Sequence, residues 1–320
     1  GHGLAGLGAA ITAKEENSEL KVVTFDKGTV GYSGKANKGG GHVAFIPEGA
    51  EEQYVEYHTR NLGDYLNDQD MLRKYAYGTI KTMNRWASWG VEFIGRETAQ
   101  NAHPIIPWKV CLVDLDIMVH MAKHAKKLGV ESYNKVALTD LLTEGERVVG
   151  AIGLELLTNE TIIFKAKSTI LANGNQDWKI VPMWNSSRGD GIAAAYRAGA
   201  KMRNAEFGSF VNMMTLSSRT IAYGAEDVLT NTKGEICTDR ADLDPRLKSV
   251  VGGVDLGGSQ SVLMLMDVRE GKGPIYEDTA KNELPGSFIG RNLCCYGGDA
   301  DPEFYRPVAQ KFWNRLYYKN

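Results

Sequence analysis

The chain switches repeatedly between helical and strand-like spacing of its apolar residues. After Gly6 the small and apolar residues of LGAAITAKEEN suit a helix packed closely on a sheet. Leu20 to Phe25, LKVVTF, has the length and character of a buried strand. From Glu51 to Gly90 the spacing is helical: Leu72, Ala76, Thr79, Ile80, Met83 and Ala87 recur at three- and four-residue steps, and Gly90 is a natural stop. A second helix is predicted from Asp116 to Leu128, closed by Gly129. VALTDLL, ERVVGAIGLELL and TIIFKAK then read as short strands, and turn signals at Glu144–Gly145 and Asn159–Glu160 predict a meander. STILANGN, Ser168 to Asn175, is an apolar strand ending in small residues, as in a parallel sheet. SSRGDGIAAAYRAGAKMRNAEF follows, a tight turn leading into an alanine-rich helix.

The glycines add chemistry to this pattern. Gly1, Gly3 and Gly6 in GHGLAGLGAA have G-x-G-x-x-G spacing, and Asp26 closes the next strand about twenty residues beyond. Glycines there let backbone N–H groups and a helix N-terminus approach a pyrophosphate, while the acid can hold a ribose through its hydroxyls. Loop, helix, strand and acid in that order predict a dinucleotide site, against the plainer reading of a glycine-rich turn beside a surface aspartate. The strand that normally precedes such a loop is expected to be missing from the chain. Gly39, Gly40 and Gly41 leave bare backbone beside HVAF, against which a flat ring could lie; a surface loop is the alternative. His120 and His124 stand one helical turn apart, a metal-compatible spacing with no evident third ligand, so a structural role is expected. Asp190 stands where a carboxylate often caps a helix.

Composition narrows the class. The 320 residues are 43% hydrophobic and 24% charged, as in a globular protein, and the net charge of −2 with no basic run gives nucleic acid no footprint. No apolar stretch approaches membrane-spanning length. Cys111, Cys237, Cys294 and Cys295 spell out neither a zinc nor an iron–sulfur ligand set, so no metal site is expected, and they read as reduced thiols of a cytoplasmic protein.

Taken together, these segments resemble the flavoprotein subunits of the fumarate reductase and succinate dehydrogenase family, which includes L-aspartate oxidase and the adenylylsulfate reductase alpha subunit. GHGLAGLGAA with FDKG is similar to the family's FAD pyrophosphate and ribose elements, and YSGKANKGGGHVAF to its flavin-contacting loop. TILANGN resembles its A-T-G-G strand end, with Asn173 and Asn175 as departures. RGDGIAAAYRAGAKMRNAEF resembles its T-G-D-G…A-G-A…M-E-F segment, with Arg188 in place of threonine. The resemblance implies FAD contacts at Gly1, Gly3, Gly6, Asp26, Lys27, Ser33, Gly34, Gly39, Gly40, Gly41, Ala172, Gly174 and Asp190, with the Ala137 backbone against adenine.

The branch turns on later residues. Val211 falls where fumarate reductases and succinate dehydrogenases carry a dicarboxylate-binding histidine, and valine donates no hydrogen bond. SVLMLMDVREGKGPIYEDT and the pair Ser33–Gly34 resemble the adenylylsulfate reductase branch, in which Arg219 is the nearest counterpart of a catalytic arginine; a surface arginine is the alternative. Ser33 aligns with the histidine that bonds covalently to flavin in the respiratory enzymes, which implies non-covalent FAD.

The implied architecture is α/β: a Rossmann-like FAD-binding domain with an inserted β-meander over residues 1–207, then the start of an α+β capping domain over 208–320. The implied function is an FAD-dependent oxidoreductase, adenylylsulfate-reductase-like, passing electrons between a small anionic substrate and an iron–sulfur, ferredoxin-like subunit. The alternatives are a reductase of an unsaturated organic acid and a non-catalytic electron-transfer flavoprotein.

Overall fold

Leu7, Ala10 and Ile11 lie on one face of α1 (Leu4–Glu16) and are almost wholly buried. They pack against Ile117, Met118, Met121 and Ala125 of α4 (Ile117–Lys127), with Val91 and Val130 closing the same core. In each helix the buried positions recur at three- and four-residue steps, the spacing that places side chains on one stripe. The computed structural model describes residues 1–37, 42–97, 99, 108–114, 116–175, 188–205, 229–237 and 256–277. The chain divides into two compact units, and this helix pair is the core of the first, formed by Gly1–His42, Asn84–Phe93 and Leu112–Phe207.

In that unit β1 (Val23–Asp26) runs parallel to β5 (Glu131–Asn134), with Val23 opposite Glu131 and Asp26 opposite Asn134. The predicted meander is present as β6 (Val136–Glu144), β7 (Arg147–Glu155) and β8 (Thr161–Lys165), paired antiparallel in that order. Phe25 stacks on Phe164, centroids 4.4 Å apart, joining β1 to the meander. The alanine-rich helix is α5 (Asp190–Arg197). It is tied to β6 by Arg197, whose guanidinium donates to Asp140 Oδ1 and to the Thr139 carbonyl, each at 2.7 Å.

Two expectations differ from the structure. Residues 168–175 adopt no strand, and Ile170 is 69% exposed. An apolar run supplies the side chains of a buried strand, but a strand also needs a ladder partner, and no described strand pairs with this run. The helical spacing from Glu51 is broken: α2 (Glu51–Tyr57) passes into a π-helical turn, His58–Leu62, before α3 (Gln69–Ser88) begins. Gly63 and the positive φ of Asp64 and Tyr65 follow that turn, and left-handed backbone cannot continue a right-handed helix.

The second unit gathers Val43–Met83, Ile94–Cys111 and Gly208–Asn320. Its core holds Ile46, Tyr54, Val55 and Ala76, and the buried Thr79 hydroxyl accepts the Ile46 N–H at 3.2 Å. The chain also forms β2 (His42–Phe45), β3 (Phe93–Ile94) and β4 (Lys109–Val113), then β9 (Leu229–Thr230), α6 (Leu256–Arg269) and β10 (Tyr276–Glu277). β9 and β10 pair antiparallel. Buried Asp267 of α6 accepts a hydrogen bond from Asn231 at 3.0 Å.

The two histidines of α4 have structural partners. His120 lies 3.5 Å from Asp114, and His124 stacks on Trp89 with its Nε2 3.0 Å from Glu15. Among the described residues no group of His, Cys, Asp and Glu could hold a metal ion. Burial opposes ionisation of Glu15, but hydrogen bonds from His124 and Arg85 outweigh it and hold the carboxyl below its ordinary value of 4.5. A depressed carboxyl stabilises the fold above its unfolded value and loses that contribution as pH falls through the folded one. Glu15→Gln should therefore cost about 0.5–1 kcal/mol near neutral pH, a pair about a third exposed being screened by solvent. Denaturant melts of both proteins as a function of pH check this: the difference should vanish below the carboxylate range.

Candidate cofactor site

The turn before α1 is built around contacts too close for any side chain. A Cβ on Gly1 would stand 2.0 Å from the Ala172 carbonyl oxygen, and one on Gly6 would stand 1.8 Å from the Gly1 carbonyl oxygen. Gly34, with φ +86°, would bring a Cβ within 2.7 Å of the Gly3 Cα. Gly1, Gly3 and Gly6, predicted from their spacing, are thus brought together with Gly34 and Ala172, which the family resemblance implied, in one glycine-lined surface. Bulk at any of the tight positions would force the backbones apart.

The N-cap of α1 is Gly3, and no side chain caps the helix. The first backbone bond of the helix runs from the Leu7 N–H to the Gly3 carbonyl at 3.0 Å. The N–H groups of Leu4, Ala5 and Gly6 therefore have no acceptor within the helix, and the positive end of its dipole lies with them. Uncapped donors, a positive helix end and a bare glycine turn suit an anionic pyrophosphate.

Asp26 ends β1 beside this turn. Its Oδ2 accepts the His2 N–H at 2.7 Å, and its Oδ1 accepts the Gly28 N–H and the Ser33 hydroxyl, each at 2.6 Å. Partial burial works against its charge, but the hydrogen bonds from Ser33, His2 and Gly28 outweigh burial and hold the carboxyl below its usual value. The group is a fixed carboxylate, suited to accept a hydrogen bond from a sugar hydroxyl. Ser33, an FAD contact by the family resemblance, donates its hydroxyl to this acid.

The remaining predicted residues lie elsewhere in the first unit or outside the described residues. Lys27 and Asp190, 163 residues apart, form an ion pair at 3.1 Å. The N-cap of α5 is Gly189, in left-handed conformation, and Asp190 in the first turn faces Lys27 rather than capping the helix. Gly174 has φ +77°, a conformation that favours glycine. Ala137 lies in the meander, opposite Leu154. Gly39, Gly40, Gly41, Val211 and Arg219 lie outside the described residues.

Sequence reasoning missed His2 and Gly28. Gly28 has no room for a side chain, since a Cβ would meet the Ser33 Oγ at 2.6 Å. No sequence signal marked His2, since an imidazole between glycines reads as part of a loop.

Residues 1–222 match the FAD binding domain family, and the chain belongs to that family. FAD is accordingly its cofactor, and the glycine cradle and uncapped helix end fit that group. A fumarate reductase (CoM/CoB) chain of Methanothermobacter marburgensis is 27% identical over 266 residues, covering 76% of this chain and 48% of that protein. The alpha chain of the adenylylsulfate reductase of Megalodesulfovibrio gigas is 24% identical over 344 residues, covering 90% of this chain and 50% of that protein. The chain spans about half the length of these relatives. The solved adenylylsulfate reductase of Archaeoglobus fulgidus has the same fold, with a TM-score of 0.71 at 19% identity, over 99% of this chain and 52% of that one.

The cradle separates glycines that matter from one that does not. Gly34→Ala, strained by its positive φ and its contact with Gly3, should abolish flavin binding, as should Gly3→Leu. Gly8→Ala meets only the Met121 methyl at 4.0 Å and should bind FAD as the unaltered chain does. Flavin absorbance per protein after purification reads the result.

Proposed function

We propose that this chain is the FAD-carrying part of an oxidoreductase that exchanges two electrons between a small anionic substrate and an iron–sulfur partner, along adenylylsulfate-reductase-like lines. The observation that carries the reading is the glycine cradle at the uncapped N-terminus of α1, set beside the fixed Asp26 carboxylate. When bound, FAD supplies two-electron redox chemistry at its flavin ring. The chain's own residues bind and orient. The N–H groups at the start of α1 would receive the pyrophosphate, and Asp26 would accept a ribose hydroxyl. Lys27 and Asp190 join the loop after β1 to α5, and the Ala137 backbone would meet the adenine.

The adenylylsulfate reading is supported by the M. gigas relative, which aligns over nine-tenths of this chain, and by the SVLMLMDVREGKGPIYEDT segment. It assigns Arg219 to the substrate, in a capping domain that begins at residue 208. A fumarate-reductase-like activity is the second reading, favoured by the M. marburgensis relative and opposed by Val211. Steady-state assays with adenylylsulfate, with sulfite plus AMP, with fumarate and with succinate separate the two. Turnover confined to the first pair is expected, and no turnover with any of the four would favour a non-catalytic flavoprotein. Among the described residues no helix is long and apolar enough to cross a membrane. The cysteines Cys111, Cys237, Cys294 and Cys295, read as reduced thiols, support a cytoplasmic location.

Non-covalent FAD follows from Ser33, which offers no imidazole nitrogen at the linkage position and is engaged with Asp26. Trichloroacetic acid should release all the flavin to the supernatant, and a yellow pellet would overturn this.

The partner assignment predicts that the isolated chain carries flavin but no iron. Cys111 and Cys237 are buried, and burial pushes the Cys111 thiol up to about 11, away from the thiolate that ligates iron. Iron and acid-labile sulfide assays on the chain alone check it; stoichiometric iron would contradict the partner assignment.

A further inference from the structure

His2 is 0% exposed, although it stands in the turn that carries the cofactor site. Its imidazole points inward, with Nε2 3.1 Å from the Thr24 hydroxyl of β1. Thr24 Oγ1 in turn lies 3.0 Å from the Ser132 hydroxyl of β5 and donates to the Glu131 carbonyl at 3.4 Å. The other ring nitrogen, Nδ1, is buried without a hydrogen-bond partner. One side-chain hydrogen bond therefore fastens the ring to the sheet. The backbone N–H of the same residue is the donor to Asp26 Oδ2.

From this juxtaposition, the geometry points to His2 as a positioning residue of the FAD site, acting through Asp26. The anchor of the imidazole on Thr24 sets where the His2 backbone N–H lies, and that N–H sets one oxygen of the ribose-holding carboxylate. The same anchor holds the turn between Gly1 and Gly3 against the sheet, in the place the pyrophosphate requires. Burial favours the neutral imidazole, which suits a ring lodged between loop and sheet. The inference rests on the FAD reading of the site. It differs from a packing role in needing the polar contact, not only the volume.

The test uses the complete chain stripped of flavin and titrated with FAD, read by the change in flavin fluorescence. His2→Leu keeps much of the ring's volume and loses the anchor. Thr24→Val keeps the β-branched shape and loses the hydroxyl. Each should raise the FAD dissociation constant about five- to tenfold, the worth of one hydrogen bond. His2→Gln, whose amide reaches about as far as Nε2, should restore most of the affinity. The double variant His2→Leu with Thr24→Val should be no weaker than Thr24→Val alone, because that change already breaks the bond that His2→Leu removes. Unchanged affinity in Thr24→Val would overturn the inference even if the His2 variants fail to fold, and so would losses that add in the double variant. Failure of the unaltered chain to bind FAD would overturn the cofactor reading and this inference together. Normal FAD binding with no effect of the substitutions would overturn this inference alone.

Discussion

Everything in the first unit is arranged around one constraint, that two stretches of backbone must come closer than a side chain allows. The Gly1 carbonyl sits where a Cβ of Gly6 would be, and the Ala172 carbonyl where a Cβ of Gly1 would be. That contact places the start of α1 directly at the turn, so the unpaired N–H groups of the helix face whatever lies over the glycines. The buried stripe of α1 then has to meet a partner at short range, which α4 supplies through Met118 and Met121. Polarizable, unbranched methionine side chains fill the irregular space left between small residues on the facing helix.

Much of this was legible because it is periodic. The helix after Gly6, the helix predicted from Asp116 to Leu128 and the antiparallel meander were each found near the predicted position. The parts that escaped depend on partners distant in sequence. Residues 168–175 have the side chains of a buried strand, but a ladder is a property of two chain segments, and one segment cannot declare it. The break after His58 was hidden because left-handed backbone at Asp64 and Tyr65 needs no glycine at either position.

Within the site, spacing located the residues but not their bonds. Gly3, Gly6 and Asp26 were recognisable because a motif fixes their separation. The ion pair of Lys27 with Asp190 spans 163 residues, and neither residue signals the other. Ser33 carries the same lesson: its position in the loop was readable, while its hydrogen bond to Asp26 depends on how the turn at Gly28 folds back. His2 is the clearest case, since an imidazole between glycines reads as part of a loop and proves to be an interior residue.

The electrostatics of the site follow from these bonds. A carboxylate beside a pyrophosphate is a repulsive arrangement unless its charge is drawn elsewhere. Asp26 gives its charge to three donors on its own loop and turn, from His2, Gly28 and Ser33, which hold it in a fixed direction and let it accept a sugar hydroxyl. Lys27, the adjacent cation, is paired with Asp190. The favourable field at the turn then comes mainly from the dipole and unpaired N–H groups of α1, which are fixed by the backbone and need no reorganisation when an anion arrives. Such a site is sensitive to backbone position above all else, because its donors cannot swing to follow a misplaced ligand. That sensitivity explains why the tight contacts at Gly1, Gly6 and Gly34 and the buried anchor of His2 belong to one device.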